Sequence, residues 1–313
     1  MSIEYAIIVK NKTRLETLIE QFNTKAQARF YIERLGGNFD DYVAEHDTFH
    51  KSLEKVQAQL STTIKNKVVE RAFLPNYIFS EKNLIVVVGQ DGLVANTAKY
   101  SKGIPMIAVN PDKLRYDGVL LPFDSSNFIT GIEKVLNNNY KFQTMSFAEA
   151  KLNDGQHLLA FNDLYIGSSS HVSARYKISY NSKTEEHSSS GLLVSTKAGS
   201  TGWLSSVFNM AYGVARIFEK NLQLKRPKLN DNDLLFTVRE PFQSIRTQIG
   251  ITAGFLKGQN NLVIESLMPA NGVIFSDGIE SDFLKFNSGS IATIGLASEK
   301  AKLVINEELK NST

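Results

Sequence analysis

The chain has 313 residues, no cysteine and a formal net charge of +3. That length holds two domains, or one large one, with a real core. The lack of cysteine excludes disulfides, thiolate metal sites and cysteine nucleophiles, and so small a net charge gives no argument for nucleic acid as a partner.

"YAIIVK" (Tyr5 to Lys10) reads as a strand, and with Glu4 in front of it the start of the chain does not resemble a signal peptide. Leu15, Leu18, Ile19 and Phe22 then recur at helical spacing, with Gly36-Gly37 as a stop. Phe49, Leu53, Val56 and Leu60 predict a second helix over Asp41 to Ile64. Lys67 to Leu74 is a strand candidate. Leu84 to Val88 ("LIVVV") and Ile104 to Asn110 are continuous apolar runs, as in strands buried on both faces. Leu93 to Lys102 and Ser126 to Leu136 read as helices. The alternation predicts a mostly parallel α/β domain over residues 1–139.

The texture changes after Asn139. Short apolar segments such as "LLAFNDLYIG", "SARYKISYN", "DLLFTVRE", "NLVIESL" and "IATIGLA" alternate with turn residues. They predict a β-rich domain over 140–289, interrupted by one helix from Ser200 to Phe218, with 290–313 returning to the first domain. No apolar run is long enough to span a membrane as a helix. The expectation is a soluble, cytoplasmic protein with no membrane partner.

Several clusters carry candidate chemistry. Gly89-Gln90-Asp91-Gly92 follows a buried strand and precedes a helix. Ligands of α/β proteins bind at such strand ends, and a glycine there lets backbone approach a phosphate at the helix start. Asp91 is suited to accept a bond from a hydroxyl awaiting phosphorylation; taken alone, the stretch is also an ordinary turn with a capping aspartate. Asn162-Asp163 suits a ribose diol, or simply a β-turn. Ser188 to Ser206 ("SSSGLLVSTKAGSTGWLSS") puts a hydroxyl-rich loop between apolar runs, with the only tryptophan, Trp203, behind it. Small residues let a flat ring or a phosphate approach, and Trp203 offers a stacking face or a core side chain. His46 and His50 have the i, i+4 spacing of a helical metal pair, but the sequence shows no third ligand, and a solvated helix face is the better reading.

In order along the chain, Gly89 to Gly92, Asn162-Asp163, Gly191 to Thr201 and Asp277-Gly278 resemble the NAD kinase family. "NDLYIGSSSHVSARYKISY", "LLFTVREPF" and "AVNPDKLRYDGVLLPF" are most similar to its mitochondrial-type branch. The resemblance implies a two-domain fold, an α/β nucleotide domain followed by a β-rich domain whose C-terminal segment returns to the first. It also implies transfer of the γ-phosphate of ATP, with Mg2+, to the adenosine-ribose 2′-hydroxyl of NAD, in a homodimer or larger assembly. Asp91 matches the catalytic aspartate. Gly89, Gly92, Asn110, Asn162, Asp163, Ser190, Thr196, Ser200, Thr201, Trp203 and Asp277 match the binding set. The sequence departs from the family pattern Gly-Gly-Asp-Gly-Thr at Gln90 and Leu93, has Asp163 for glutamate, and has Lys197 and Ala198 for proline and threonine. Two other readings stay open: a kinase of the same superfamily acting on another hydroxyl (nucleoside, sugar or lipid), and a dinucleotide binder with impaired catalysis.

Overall fold

The computed structural model describes residues 3–219, 225–258 and 260–307. The chain forms two units, Met1–Thr144 with Ala301–Thr313, and Met145–Lys300.

In the first unit, β1 (Tyr5–Lys10), α1 (Arg14–Phe22), α2 (Lys25–Arg34), α3 (Phe39–Thr63), β2 (Lys65–Glu70), β3 (Asn83–Val88), α4 (Asp91–Ala98), β4 (Pro105–Asn110), β5 (Phe123–Asp124) and α5 (Phe128–Leu136) follow one another. The strands pair in parallel in the order β2–β1–β3–β4, with β5 continuing beside the end of β4. Every residue of β3 is buried, as its unbroken apolar run requires of a strand covered on both faces. α3 and α5 supply Phe49, Leu53, Val56, Phe128 and Ile132 to cover Ile8, Val86 and Ile107.

The structure departs from the predicted elements at three places here. The helical pattern after Thr13 is two helices, because Asn23 turns left-handed at φ 64° and Thr24 caps a new start. The strand expected over Lys67 to Leu74 lies at Lys65–Glu70, and Arg71–Asn76 forms a 3-10 turn containing Pro75, which has no N–H for a ladder. The helix expected from Leu93 already starts at Asp91.

The second unit is a β-sandwich. β6 (Phe142–Leu152), which begins in the first unit, leads into β7 (His157–Ala160), β8 (Asp163–Ser168), β9 (Ala174–Tyr180), β10 (Lys183–Ser189) and β11 (Leu192–Ser195). After α6 (Trp203–Phe218) come β12 (Asp233–Val238), β13 (Ala253–Lys257), β14 (Leu262–Ser266), β15 (Gly272–Ser276), β16 (Ile279–Lys285) and β17 (Ile291–Val304). One sheet has six antiparallel strands in the order β13–β12–β11–β8–β15–β16. β10, β9, β14 and the start of β17 form an antiparallel layer, and the two faces share a core that includes Leu164, Ile166, Val194, Phe236, Tyr176, Ile178 and Ile264. The predicted helix from Ser200 is a 3-10 turn over Ala198–Thr201 and then α6. The end of β17 pairs in parallel with β4, Lys302 opposite Pro105 and Leu303 opposite Met106, so the last strand closes the first unit's sheet. Among the described residues no helix is long and apolar enough to cross a membrane.

Candidate functional site

In the first unit the strand order reverses direction between β1 and β3, and the carboxyl ends of these two strands flank the crevice where open α/β sheets take ligands. Gly89 and Asp91 stand at the end of β3. A Cβ on Gly89 would meet Leu93 Cδ2 at 2.7 Å, so the site tolerates only glycine without a shift. Gly92 has open space where a Cβ would project. It lies in the first turn of α4, whose amides favour negative charge. Asp91 accepts hydrogen bonds from the backbone N–H of Leu120 at 2.7 Å and of Val119 at 3.2 Å. A carboxylate has about four lone-pair sites, so two donors orient it and leave capacity for a hydroxyl.

The loop that supplies those two amides is itself braced. Asn110 spends its side-chain amide there, donating to Tyr116 O at 3.0 Å and accepting from Asp112 N–H at 2.9 Å. Arg115 reaches Asp41 on α3 at 2.7 Å and holds that exposed carboxyl down at about 2. Gln90, at the position where the family pattern has glycine, is exposed and hydrogen-bonds the Tyr116 phenol, whose hydroxyl also donates to Glu45. Leu93 is buried against Gly89 and brings no hydroxyl to the turn.

In the second unit, three residues distant in sequence from the turn between β7 and β8 converge on it. The carboxylate of Asp277 accepts the backbone N–H groups of Phe161 at 3.1 Å, Asn162 at 2.6 Å and Asp163 at 3.3 Å. Thr196 donates its hydroxyl to Phe161 O at 2.6 Å and its N–H to Asn162 O at 2.9 Å. Gly199 then presses on the same turn, since a Cβ there would meet Asn162 O at 2.3 Å and Asp163 Oδ1 at 2.7 Å. Asp277 and Thr196 therefore fix the backbone that presents Asn162 and Asp163. The Asn162 side chain is half-buried and has no hydrogen bond among the described residues.

Asp163 is 9% exposed, and its Oδ1 is buried without a partner among the described residues. Burial pushes its carboxyl up to about 7; Ser195 opposes the rise and the charge of Asp277 adds to it. Ser200 bonds Lys197 O at 2.7 Å, and Thr201 is exposed.

Ser190 and Trp203 belong to a neighbouring feature of the same unit, a cavity of about 840 Å³. Its floor is an aromatic stack. Tyr165 lies parallel to Trp203, with centroids 5.8 Å apart, and its ring centre is 4.8 Å from that of Phe275. The Arg239 guanidinium sits 5.3 Å from the centre of the Trp203 ring. The Tyr165 hydroxyl donates to Ser168 O at 3.0 Å and approaches Ser190 O at 3.3 Å. Sequence reading assigned no role to Tyr165, Arg239 or Phe275. The signal was two glycines: a Cβ on Gly167 or Gly191 would run into the Tyr165 ring, so both make room for it.

No family model matches the chain. Over 129 residues it is 30% identical to the NAD kinase of Heliobacterium modesticaldum, covering 39% of this chain and 44% of that protein. Over 124 residues it is 26% identical to the NAD kinase of Chlorobaculum tepidum, covering 39% and 43%. The chain thus spans less than half the length of these curated relatives. Among solved structures it is similar to yeast NADH kinase complexed with NADH, with a TM-score of 0.58 and 14% identity over 98% of this chain and 85% of that one. An NAD kinase from Archaeoglobus fulgidus in complex with ATP gives a TM-score of 0.53 and 15% identity over 99% and 96%. At such identities the likeness shows the fold: a parallel α/β unit followed by a β-rich unit.

Proposed function

We propose that the chain is an NAD kinase, transferring the γ-phosphoryl group of ATP·Mg2+ to the adenosine-ribose 2′-hydroxyl of NAD to give NADP. The observation that carries this reading is the convergence of Asp277 and Thr196, motif residues far apart in sequence, on the turn that presents Asn162 and Asp163. Matches to NAD kinases in sequence and in fold support it.

In this reading residues 1–139, with 290–313, bind the nucleotide donor, and 140–289 bind the dinucleotide. Gly89 and Gly92 admit the donor phosphates, and Mg2+ arrives with them. Asp91, oriented by the amides of Val119 and Leu120, accepts the proton of the attacking hydroxyl. The hydroxyl oxygen bonds the γ-phosphorus in line while the bond to the β–γ bridging oxygen breaks and ADP leaves. Catalysis is positioning plus charge stabilisation. Asn162 and Asp163 hold the ribose; Ser200, Thr201 and Trp203 surround the adenosine; Ser190 lies toward the nicotinamide. We read the enzyme as a member of the mitochondrial-type branch that works in the cytoplasm as a homodimer, and size-exclusion chromatography with light scattering tests that assembly.

A second reading is a dinucleotide binder with impaired transfer. It is favoured by Leu93, which leaves the phosphate turn without a hydroxyl, and by Gln90, which adds a side chain there. Incubation of the pure protein with ATP, Mg2+ and either NAD or NADH, followed by measurement of NADP(H), separates the two. Binding without product from any donor sinks the kinase reading.

A further inference from the structure

We infer that Glu16, His46 and His50 form a divalent transition-metal site, with zinc as its ion, that ties α1 to α3. His46 and His50 lie one turn apart on α3, with ring centroids 4.3 Å apart. The third ligand, absent from the local sequence pattern, comes from α1. One donor atom each from Glu16, His46 and His50 lie within 4.8 Å of one another. Two imidazoles and a carboxylate with an open fourth position are a known zinc donor set. Bonds of about 2.0–2.2 Å to a tetrahedral ion put ligand atoms about 3.4 Å apart, so the 3.1 Å pair of Glu16 and His50 opens slightly and any wider pair closes modestly.

The surroundings orient the ligands as a metal site requires. Glu16 Oε2 accepts the backbone N–H of Thr13 at 2.7 Å, which leaves Oε1 directed at His50 Nε2, 3.1 Å away. His46 Nδ1 lies 2.9 Å from the Thr13 hydroxyl. With that nitrogen donating to Thr13, the ring's Nε2 lone pair is available to the ion, and such partners raise metal affinity. Both carboxylate and ring are reached by solvent, at 25% exposure for Glu16 and 31% for His50. Lys10 opposes the site, 3.8 Å from Glu16 Oε1, but it lies closer to Glu70 at 3.3 Å, a partner it keeps when an ion takes the glutamate.

The test is titration of chelator-stripped protein with Zn2+ by calorimetry, and with Co2+ by visible absorption. The expected result is one equivalent bound in the micromolar range or tighter, with a rise in melting temperature. His46→Gln and His50→Gln each weaken binding at least about tenfold, the range seen when a ligand's support is lost. His157→Gln leaves it intact; that ring also pairs with a glutamate, Glu149 at 3.0 Å, but belongs to no three-ligand group among the described residues. Glu16→Gln guards against misfolding. Glutamine preserves the capping box of α1, so its metal-free melting stays near the parent's while zinc affinity falls. Equal zinc binding by the parent and the His46→Gln/His50→Gln double variant, or no binding by the parent, overturns the site.

Discussion

Asp277 holds Asn162 by its backbone: Oδ1 accepts the Asn162 N–H at 2.6 Å across 115 positions of sequence. The same carboxylate takes the amides of Phe161 and Asp163, so one charged side chain organises the whole β7–β8 turn. Hydrogen bonds to charged acceptors contribute about 1.5–3 kcal/mol. Asp277→Asn keeps a side chain that accepts the left-handed backbone at φ 55°, and it removes only the charge and one acceptor oxygen. Urea denaturation should show a loss of about 1–3 kcal/mol, with weaker NAD binding by calorimetry. An unchanged midpoint and affinity would mean that the turn forms without the carboxylate.

Asp163 predicts a pH dependence. Its carboxyl is pushed up to about 7, so between the unfolded value of 3.8 and about 7 the folded state binds more protons than the unfolded chain. Stability therefore falls as pH rises through that window. Asp163→Asn removes the ionisation. Its stability relative to the parent should rise by up to roughly 4 kcal/mol between about pH 4 and about pH 8, since each tenfold change in proton affinity is worth about 1.4 kcal/mol. Denaturant melts of both proteins at the two pH values measure this. Parallel pH profiles would contradict the buried, partnerless Oδ1.

Gly199→Ala and Gly213→Ala should have opposite signs. At Gly199 the new methyl meets backbone, Asn162 O at 2.3 Å, which cannot swing away. The loop must lift, at a cost of about 1–3 kcal/mol as in overpacked cores. Gly213 lies inside α6 with nothing near its Cβ position, and alanine there stabilises by about 0.5–1 kcal/mol. Thermal melts of the pair decide the matter; a neutral Gly199→Ala would show that the loop does not rest on the turn.

Gln90→Gly with Leu93→Thr tests the proposed phosphate turn. The pair removes the Gln90 side chain tied to Tyr116 and returns a hydroxyl to the first turn of α4. Turnover with ATP and NAD should rise several-fold, since a better-aligned phosphate lowers the barrier at about 1.4 kcal/mol per tenfold. No change in turnover would separate these two positions from catalysis.

These tests rest on features that were unequally legible in the sequence. The apolar runs of β3 and β4 announced buried parallel strands because both faces must be covered. The break at Asn23 was hidden inside a helical pattern because a single left-handed asparagine needs no change of composition. Motif residues were recognisable, but their division of labour was not. Asn110, Thr196 and Asp277 turn out to use polar atoms on backbone, Asn110 within its own loop and Thr196 and Asp277 through contacts distant in sequence. Tyr165 looked like one more aromatic in a β-strand. Its place beside Trp203 depends on Gly167 in β8, on Gly191 just ahead of β11 and on Phe275 in β15. The partner of His46 and His50 was invisible for the same reason, since Glu16 lies on another helix.

The central claim is phosphoryl transfer through Asp91. The most direct measurement is NADP formation from ATP·Mg2+ and NAD by the intact protein and by Asp91→Asn, which keeps one oxygen to accept the Leu120 amide and gives up the acceptor of the Val119 amide. Transfer through Asp91 predicts product from the parent and a loss of about 10²–10⁴-fold in the variant, the usual contribution of a general base. Equal rates in the two proteins, or NAD binding by the parent with no NADP formed, would contradict it.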